Sequence, residues 1–359
     1  MTYHFFSKHA AASLAAVIFF CLITFHTYAQ QATSSLTGIY VLDGNRGTFR
    51  DANIRDYEFV DGFAWRYSWQ EMEPSHGNYD FRPLTHIVTR LAAIDKKFSW
   101  IIMPDLPRYL VQDRQISTYI AGGTLRPVPW DPDLLERYRA FLTAAANHRI
   151  ADPKAGGRLV RLRDHSAFAL FHPTFPGTPD GALRDEGAFT VSSVPGFTRE
   201  NLIEGNILPV MSMTKALFPN QVTFVSLWPI HDDNRRQALW EDIEAAISRY
   251  NRTGLWMDNL AASRPCPNCS NYRGFPEQSW AQHLANRNGL LTGFQMLGSW
   301  DRPFNVNHVP KLRFARPTDG IDHGIQAFDA QYFEVYVWDI DNPAWQSDFR
   351  RYHQQLHQQ

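Results

Sequence analysis

The chain has 359 residues, 44% of them hydrophobic and 20% charged, which is enough to bury a large core and excludes intrinsic disorder for most of its length. Its 35 basic and 36 acidic residues leave a net charge of -1, which excludes the cationic surplus that nucleic acid binding needs. Aromatic residues make up 14% of the chain, more than a core alone usually requires, and this surplus is the first indication of function.

The first predicted element is a secretory signal over residues 1–29. Lys8 precedes an apolar run from Ala10 to Phe25, and Ala29 offers a small residue where a signal peptidase would cut. The run is shorter than the roughly 20 residues of a membrane span, so a retained anchor is the alternative interpretation. We therefore predict a secreted or periplasmic protein that has no membrane partner once the signal is removed.

Short β-rich segments then alternate with longer segments of helical periodicity. The predicted strands are 38–42, 59–66, 98–103, 167–172, 222–228, 254–258, 290–296 and 332–338. The predicted helices are 84–94, 131–148, 198–218, 235–250 and 278–286, with Asp131 and Thr198 as N-caps. This alternation predicts an α/β fold, a single (β/α)8 TIM barrel over residues 30–359 with enlarged loops at the carboxyl ends of the strands.

Neither of the glycine-rich nucleotide motifs is present, and no cofactor is expected. Cys266 and Cys269 form a lone Cys-Pro-Asn-Cys in a proline-rich loop, and two thiolates cannot complete a four-ligand zinc site. In an oxidising compartment this pair is a disulfide candidate, with a redox role as the alternative. We therefore predict no metal site.

The alternation of side chains along each strand predicts which of them point into the barrel. In the last strand Phe333 and Val335 share the outer face, which leaves Glu334, Tyr336 and Trp338 inside. The same alternation adds further inner side chains from other strands: Arg66, His172, Ser226, Trp228, Trp256, Asp258 and Gln295. Because barrel enzymes keep their chemistry at the carboxyl ends of the strands, this polar set is the candidate site.

Several tryptophans fall at strand ends or in loops of the same face of the barrel. They are Trp69, Trp130, Trp228, Trp300 and Trp338. Core packing is the more common role of a tryptophan, but stacking on sugar rings would explain why so many are gathered on one face. The pattern favours a carbohydrate as the partner of the site.

The segment that follows the second strand, residues 69–81, reads W-Q-E-M-E-P-S-H-G-N-Y-D-F. It resembles the W-x-x-x-E-P-x-x-G-x-Y-D-F segment of the (β/α)8 glycoside hydrolases, in their β-galactosidase-like and cellulase-like branch. Residues 100–107 and 127–132 are similar to the third strand, its loop and the start of the next helix in those enzymes. The resemblance implies hydrolysis of O-glycosidic bonds in an oligo- or polysaccharide. The motif itself shapes a turn, so it identifies the fold more securely than the activity.

The chain departs from this family at the usual catalytic positions. Many members carry an Asn-Glu pair at the end of the fourth strand and a glutamate nucleophile at the end of the seventh. Here the fourth strand ends Phe171-His172-Pro173, and the seventh offers Gln295, which cannot ionise. Any hydrolysis therefore requires carboxylates from other positions.

Glycoside hydrolysis needs two carboxyl groups, about 5 Å apart for retention or roughly 6.5 to 9.5 Å apart for inversion. Asp258 and Glu334 lie on strands separated by one neighbour, about 10 Å apart in the backbone, and form the leading pair. Glu334 is the predicted nucleophile or base and Asp258 the acid, with Glu186 as the alternative acid. The predicted substrate-binding residues are Arg66, Trp69, His172, Trp228, Asn259, Gln295, Trp300, Tyr336 and Trp338.

Simpler interpretations of the same residues remain open. Glu334 could pair structurally with Arg66, His172 could be a core histidine, and Glu186 could be a solvated loop charge. A carbohydrate-binding barrel that has lost hydrolysis would keep the aromatic and polar groups. A metal-dependent hydrolase that uses residues 231–233 or 319–323 is a weaker alternative, because those clusters lack a spaced ligand set such as H-E-x-x-H.

Overall fold

The computed structural model describes residues 38–42, 54–121, 123–178, 185–186, 189–190, 194–226, 236–260, 290–296 and 316–358; at 185–186, 189–190, 236–241, 258, 259 and 327 it describes the backbone alone. Within these residues the centre is a closed barrel of parallel strands. They are β1 (Gly38–Leu42), β2 (Gly62–Ser68), β3 (Lys97–Met103), β4 (Phe168–His172), β5 (Val222–Ser226), β6 (Thr253–Leu260), β7 (Leu291–Met296) and β8 (Tyr332–Tyr336). Each strand pairs with the next, and β8 pairs with β1 from Tyr332 opposite Gly38 to Tyr336 opposite Leu42. The predicted (β/α)8 barrel is confirmed.

Helices follow the strands on the outside of the barrel. They are α1 (Trp69–Met72), α2 (Arg82–Ala93), α3 (Pro132–Asn147), α4 (Arg199–Leu202), α5 (Leu208–Leu217), α6 (Arg236–Ile247), α7 (Pro317–Phe328), α8 (Val337–Asp341) and α9 (Gln346–Gln358). A π-helical turn, Ile203–Ile207, joins α4 to α5. Short antiparallel hairpins lie in the loops: Thr118–Ala121 with Thr124–Pro127, Arg149–Asp152 with Arg158–Arg161, and Asp185–Glu186 with Phe189–Thr190.

The predicted N-caps form as the sequence indicated. The Asp131 side chain accepts hydrogen bonds from the backbone N–H groups of Asp133 and Leu134, at 3.0 and 3.1 Å, and Pro132 opens α3. The Thr198 hydroxyl accepts from the N–H of Asn201 at 2.9 Å at the start of α4. Each cap satisfies donors that the first helical turn leaves unpaired.

The predicted strand boundaries differ from the observed ones by up to three residues, most clearly in the second and last strands. The second strand was predicted over 59–66, but Phe59 and Val60 are buried in the connection that precedes β2. The last strand was predicted to continue to Trp338, but β8 ends at Tyr336 and Trp338 lies in the first turn of α8. Val337 is buried in α8 just as it would be in a strand. The apolar pattern is therefore the same on both sides of the end of β8, and periodicity alone could not locate that end.

The alternation along the strands separates two apolar clusters. One fills the inside of the barrel and includes Tyr40, Phe224, Trp256, Tyr332 and Tyr336. The other lies between the barrel and the helices and includes Phe333 and Val335, as predicted. Glycines make room for the large inner rings: a Cβ on Gly254 would lie 2.5 Å from the Phe224 ring, and one on Gly293 would lie 2.7 Å from the Tyr332 ring. The part of the barrel interior that these rings fill is therefore a packed core rather than a channel.

Some predictions fall outside the described residues. These are the signal segment 1–29, the helix 278–286, Trp228, Trp300, and the pair Cys266 and Cys269. Export of the protein and the disulfide accordingly stay predictions. In the part of the chain that the structure describes, no helix combines the length and the apolar character needed to cross a bilayer.

Candidate active site

The barrel brings together polar side chains from β2, β4, β7 and β8. Arg66 of β2 is in register with Ile101 of β3, which is in register with His172 at the end of β4. On the other side of the barrel Gln295 of β7 is in register with Glu334 of β8. Arg66, His172, Gln295 and Glu334 therefore converge near the carboxyl ends of the strands, as the sequence predicted.

Glu334 is the central carboxylate of this group, and its side chain has no exposed surface. The Tyr332 hydroxyl donates to Glu334 Oε1 at 2.9 Å, and Arg66 Nη2 lies 3.6 Å from Glu334 Oε2. Both contacts stabilise a charged carboxylate inside the barrel. The Arg66 side chain is 16% exposed, whereas that of Glu334 is fully buried.

A chain of hydrogen bonds leads from Glu334 across the barrel to His172. The Ser99 hydroxyl lies 3.0 Å from the Tyr332 hydroxyl and 3.1 Å from Nε2 of His172. Tyr332 has one proton and donates it to Glu334, so its oxygen accepts from Ser99, and Ser99 in turn accepts from Nε2–H of His172. Burial and the charge of Glu334 raise the pKa of Tyr332 well above its usual value, which keeps this proton on the hydroxyl. This assignment leaves Nδ1 of His172 as a bare acceptor.

His172 is neutral in this environment. Burial lowers the pKa of its imidazole to about 3, and the charge of Arg66 acts in the same direction. Rings of Phe224, Trp256 and Tyr332 surround it, with centroids 5.4, 5.6 and 5.5 Å from the imidazole centroid. Among the described residues, neither His172 Nδ1 nor Trp256 Nε1 has a hydrogen-bond partner. The acceptor His172 Nδ1 and the donor Trp256 Nε1 thus lie on neighbouring rings, and each could still form a hydrogen bond. Buried polar atoms without a partner are uncommon.

Gln295 and two aromatic residues continue the group along β7 and β8. Gln295 Nε2 donates to the Tyr336 hydroxyl at 3.0 Å, while Gln295 Oε1 has no hydrogen-bond partner within the described part of the chain. The Tyr336 ring is parallel to that of Trp338, with an interplanar angle of 8° and centroids 6.3 Å apart. Trp338 is half-buried, so it offers an aromatic surface next to the polar groups.

The remaining predicted carboxylates are described in backbone only. Asp258 and Asn259 lie near the end of β6, which is separated from β8 by β7, and the register between β6 and β7 shifts between Met257 and Leu260. Glu186 lies in the short Asp185–Glu186 strand after β4. Their side chains lie outside the described residues, so the predicted roles of these three residues stay predictions.

No protein-family model matches the chain, and no curated protein matches it in sequence. Solved structures do match it across most of its length. Xylanase 10B from Thermotoga petrophila RKU-1 is 11% identical, with a TM-score of 0.50 over 85% of this chain and 84% of that one. The β-amylase catalytic domain from Paenibacillus polymyxa is 11% identical, with a TM-score of 0.50 over 89% and 98%. A β-galactosidase from Rahnella sp. R3 is 13% identical, with a TM-score of 0.52 over 90% of this chain and 56% of that one.

The chain has the barrel fold of these glycoside hydrolases. The resemblance that the sequence indicated is thereby confirmed at the level of the fold. At such low identity the likeness concerns the path of the backbone, and it assigns no role to individual side chains.

The motif that carried the resemblance builds a turn of this glycosidase-like barrel and does not reach the site. Trp69 is fully buried in α1, where its indole Nε1 donates to Glu73 Oε2 at 2.6 Å and its ring packs against Tyr138 and Phe141 of α3. The helical turn after β2 directs the indole toward α3 and away from the inside of the barrel. The predicted contact of Trp69 with substrate is therefore corrected to a core position.

Two members of the site were not singled out from the sequence, Ser99 and Tyr332. Both lie on inner positions of predicted strands, so the alternation along β3 and β8 could have identified them. Their contact joins residues 233 positions apart in the chain, and only the closed barrel brings them together.

Proposed function

We propose that the protein is a glycoside hydrolase-like barrel that hydrolyses O-glycosidic bonds of an oligo- or polysaccharide at the carboxyl end of its strands. The observation that carries the proposal is the carboxylate of Glu334, which lies inside the barrel and is held by Tyr332 and Arg66. A carboxylate that is held in a fixed position in this way is suited to act as a nucleophile or base. Asp258, two strands away on β6, is the proposed acid, and Glu186 is the alternative acid.

The hydrogen-bonding groups of the site suit a saccharide. A sugar hydroxyl both donates and accepts, and so it can satisfy the acceptors His172 Nδ1 and Gln295 Oε1 as well as the donor Trp256 Nε1. The parallel rings of Tyr336 and Trp338 offer a face on which a sugar ring can stack. The structure of the xylanase from Thermotoga petrophila, a barrel of the same fold, is a complex with xylobiose, which supports a carbohydrate as the substrate class.

Because Glu334 is fully buried, hydrolysis requires a rearrangement that opens a path to its carboxylate, and we propose that Arg66 moves. The carboxylate has no exposed surface, and the guanidinium lies beside it with 16% of its side chain exposed. In the proposed mechanism the substrate displaces Arg66 from Oε2 while Tyr332 keeps its hydrogen bond to Oε1. Arg66 then remains close enough to bind a sugar hydroxyl.

A second candidate is a carbohydrate-binding barrel that does not cleave its ligand. The complete burial of Glu334 beside a cation favours it, because a structural ion pair has the same appearance. Gln295 at the end of β7 favours it as well, since an amide cannot ionise. Such a protein would keep the same hydrogen-bonding and stacking groups.

Glu334→Gln separates the two candidates. If Glu334 carries the chemistry, the variant loses turnover of aryl glycosides and polysaccharides by at least about 1000-fold, while calorimetry still detects saccharide binding. Glu136→Gln, on the exposed face of α3, is the matched control and keeps full turnover. Circular dichroism establishes that the variants fold, and Asp258→Asn provides a second test of the pair if Glu334→Gln does not fold.

Two results would contradict the proposal. Undiminished turnover in Glu334→Gln would exclude this carboxylate from the reaction. Saccharide binding by the unmutated protein without cleavage, across a broad panel of linkages, would establish the carbohydrate-binding barrel in its place.

A further inference from the structure

At the amino end of the barrel, opposite the candidate active site, an aspartate meets two histidines. Asp61 directly precedes β2, and His353 and His357 lie on α9. Asp61 Oδ1 lies 3.2 Å from Nε2 of His353 and 2.7 Å from Nε2 of His357. One potential ligand atom from each residue lies within 4.8 Å of the other two. The three side chains therefore point at a common position.

The spacing of the histidines explains why they act together. Residues four apart in a helix lie on the same face, one turn above the other. The two imidazole centroids are 4.4 Å apart. A pair of histidines at this spacing is a common way for a helix to present two nitrogen ligands to one metal ion.

A hydrogen bond to its other carboxylate oxygen fixes the position of Asp61. Its Oδ2 accepts a hydrogen bond from the backbone N–H of Ile39 at 2.9 Å, which leaves Oδ1 directed toward the histidines. Gly38 makes this possible, because a Cβ there would lie 2.0 Å from Asp61 Oδ2 and because its φ of +131° is unfavourable for other residues. Hydrogen bonds behind a ligand are a usual feature of metal sites, since they orient the atom that binds.

The surroundings leave the cluster open to an ion from solvent. The side chain of Asp61 is 13% exposed, and those of His353 and His357 are 25% and 32% exposed. Lys96, a neighbouring cation, donates to the carbonyl oxygens of Tyr57 and Val60 at 3.0 and 2.5 Å. Its ammonium is thus held by the loop before β2, and Oδ1 faces the imidazoles.

We propose that Asp61, His353 and His357 form a binding site for a divalent transition-metal ion, with Zn²⁺ as the best match. Two imidazole nitrogens and one carboxylate oxygen suit Zn²⁺, whereas Ca²⁺ and Mg²⁺ prefer oxygen ligands alone. Ligand atoms bound tetrahedrally at about 2.0 to 2.1 Å lie about 3.3 Å from one another, so the two distances from Asp61 Oδ1 to the histidine nitrogens, 3.2 and 2.7 Å, need only a small widening. Water fills the fourth position.

The proposed ion is structural. It would join the last helix to the connection between β1 and β2, at the end of the barrel where residues contribute to stability rather than to chemistry. The inference is independent of the proposed hydrolysis, because the three residues lie at the end of the strands opposite to Glu334 and its neighbours.

Zinc titration of the untagged chain by calorimetry tests the site. We expect one Zn²⁺ per chain and a rise in the thermal unfolding midpoint with added Zn²⁺. His353→Gln and His357→Gln should each weaken binding by at least about 10-fold and remove the rise in the midpoint. His86→Gln, a histidine on the exposed face of α2, is the matched control and should behave like the unmutated protein.

Co²⁺ distinguishes this site from binding by Cys266 and Cys269. Thiolate ligands give Co²⁺ an intense charge-transfer band in the near ultraviolet, and nitrogen and oxygen ligands do not. We expect Co²⁺ bound to the unmutated chain to give visible absorption but no near-ultraviolet charge-transfer band. The visible absorption should be lost in His353→Gln. The proposal is overturned if the unmutated chain binds no Zn²⁺, if both histidine variants bind it unchanged, or if the thiolate band is present.

Discussion

Inside the barrel, the side chains of Glu334, Tyr332, Ser99 and His172 form one buried series of hydrogen bonds. Burial raises the pKa of Tyr332 and lowers that of His172, so both side chains are neutral in this series. Such a network is stabilising only when all of its members keep their partners, because an unpaired polar group is costly at low dielectric. The neutral state of His172 is the property of this network that can be measured most directly.

His172 is expected to make the folded protein less stable as the pH falls. Its pKa is about 3 in the folded state against 6.5 for an exposed histidine, so between these values the unfolded chain binds one more proton. The free energy of unfolding should therefore fall by up to about 1.4 kcal/mol per pH unit as the pH drops through this window, and the full stability should be present above pH 6.5.

Urea unfolding at several pH values, for the unmutated protein and for His172→Gln, measures this contribution. Gln can still donate to Ser99 but takes up no proton, so the variant should lose the part of the slope that His172 causes. His86→Gln serves as the control and should keep the slope of the unmutated protein. Equal slopes in all three proteins would show that His172 is not the group that titrates.

At the scale of elements, the connection after β2 depends on one buried carboxylate. Glu73 is 1% exposed; its Oε2 accepts from Trp69 Nε1 at 2.6 Å and its Oε1 from the N–H of Gly77 at 2.8 Å. Gly77 has a φ of +74°, which a residue with a side chain adopts only at a cost. The Glu73 side chain therefore links helix α1 to the turn, and it uses both of its acceptor oxygens to do so.

Glu73→Gln should lower the free energy of unfolding by about 2 to 3 kcal/mol. An amide offers one acceptor oxygen, so its NH₂ group must face one of the two donors, Trp69 Nε1 or Gly77 N–H. Urea unfolding measures the loss, and Glu136→Gln on the surface of α3 is the control with the same change of charge. A loss no larger than that of the control would mean that the turn does not depend on this carboxylate.

The elements that the sequence predicted well are those that local chemistry determines. The caps at Asp131 and Thr198 and the inward positions of Glu334 and Gln295 follow from neighbouring residues and from strand alternation. Trp69 could not be placed in this way, because its direction depends on the short helix α1 and on its packing against α3.

Contacts between residues that are far apart in the chain could not be predicted from local sequence patterns either. The four-residue spacing of His353 and His357 is visible in the sequence, but their partner Asp61 lies 292 positions before His353. The contact between Ser99 and Tyr332 has the same origin. Both arise because the last strand and helix return to the first strands when the barrel closes.

At the scale of the whole molecule, the last elements of the chain complete the barrel. Strand β8 pairs with β1, and α9 buries Phe349, Tyr352 and Leu356 in the outer core. Phe349 is fully buried, and its ring is stacked on that of Phe59, with centroids 5.8 Å apart and an interplanar angle of 9°. Helix α9 therefore packs where the first and last strands of the barrel meet.

Phe349→Ala should lower the free energy of unfolding of the barrel by about 3 to 5 kcal/mol, because it leaves a cavity at this closing contact. Gln354→Ala, at an exposed position of the same helix, is the matched control and should cost little. Far-ultraviolet circular dichroism reports helices, and tryptophan fluorescence reports the barrel interior through residues such as Trp256. If α9 closes the barrel, both signals shift to the same lower midpoint. If the helix is an independent appendage, the fluorescence midpoint stays unchanged while only the helical signal is lost, and the closing role assigned to α9 is wrong.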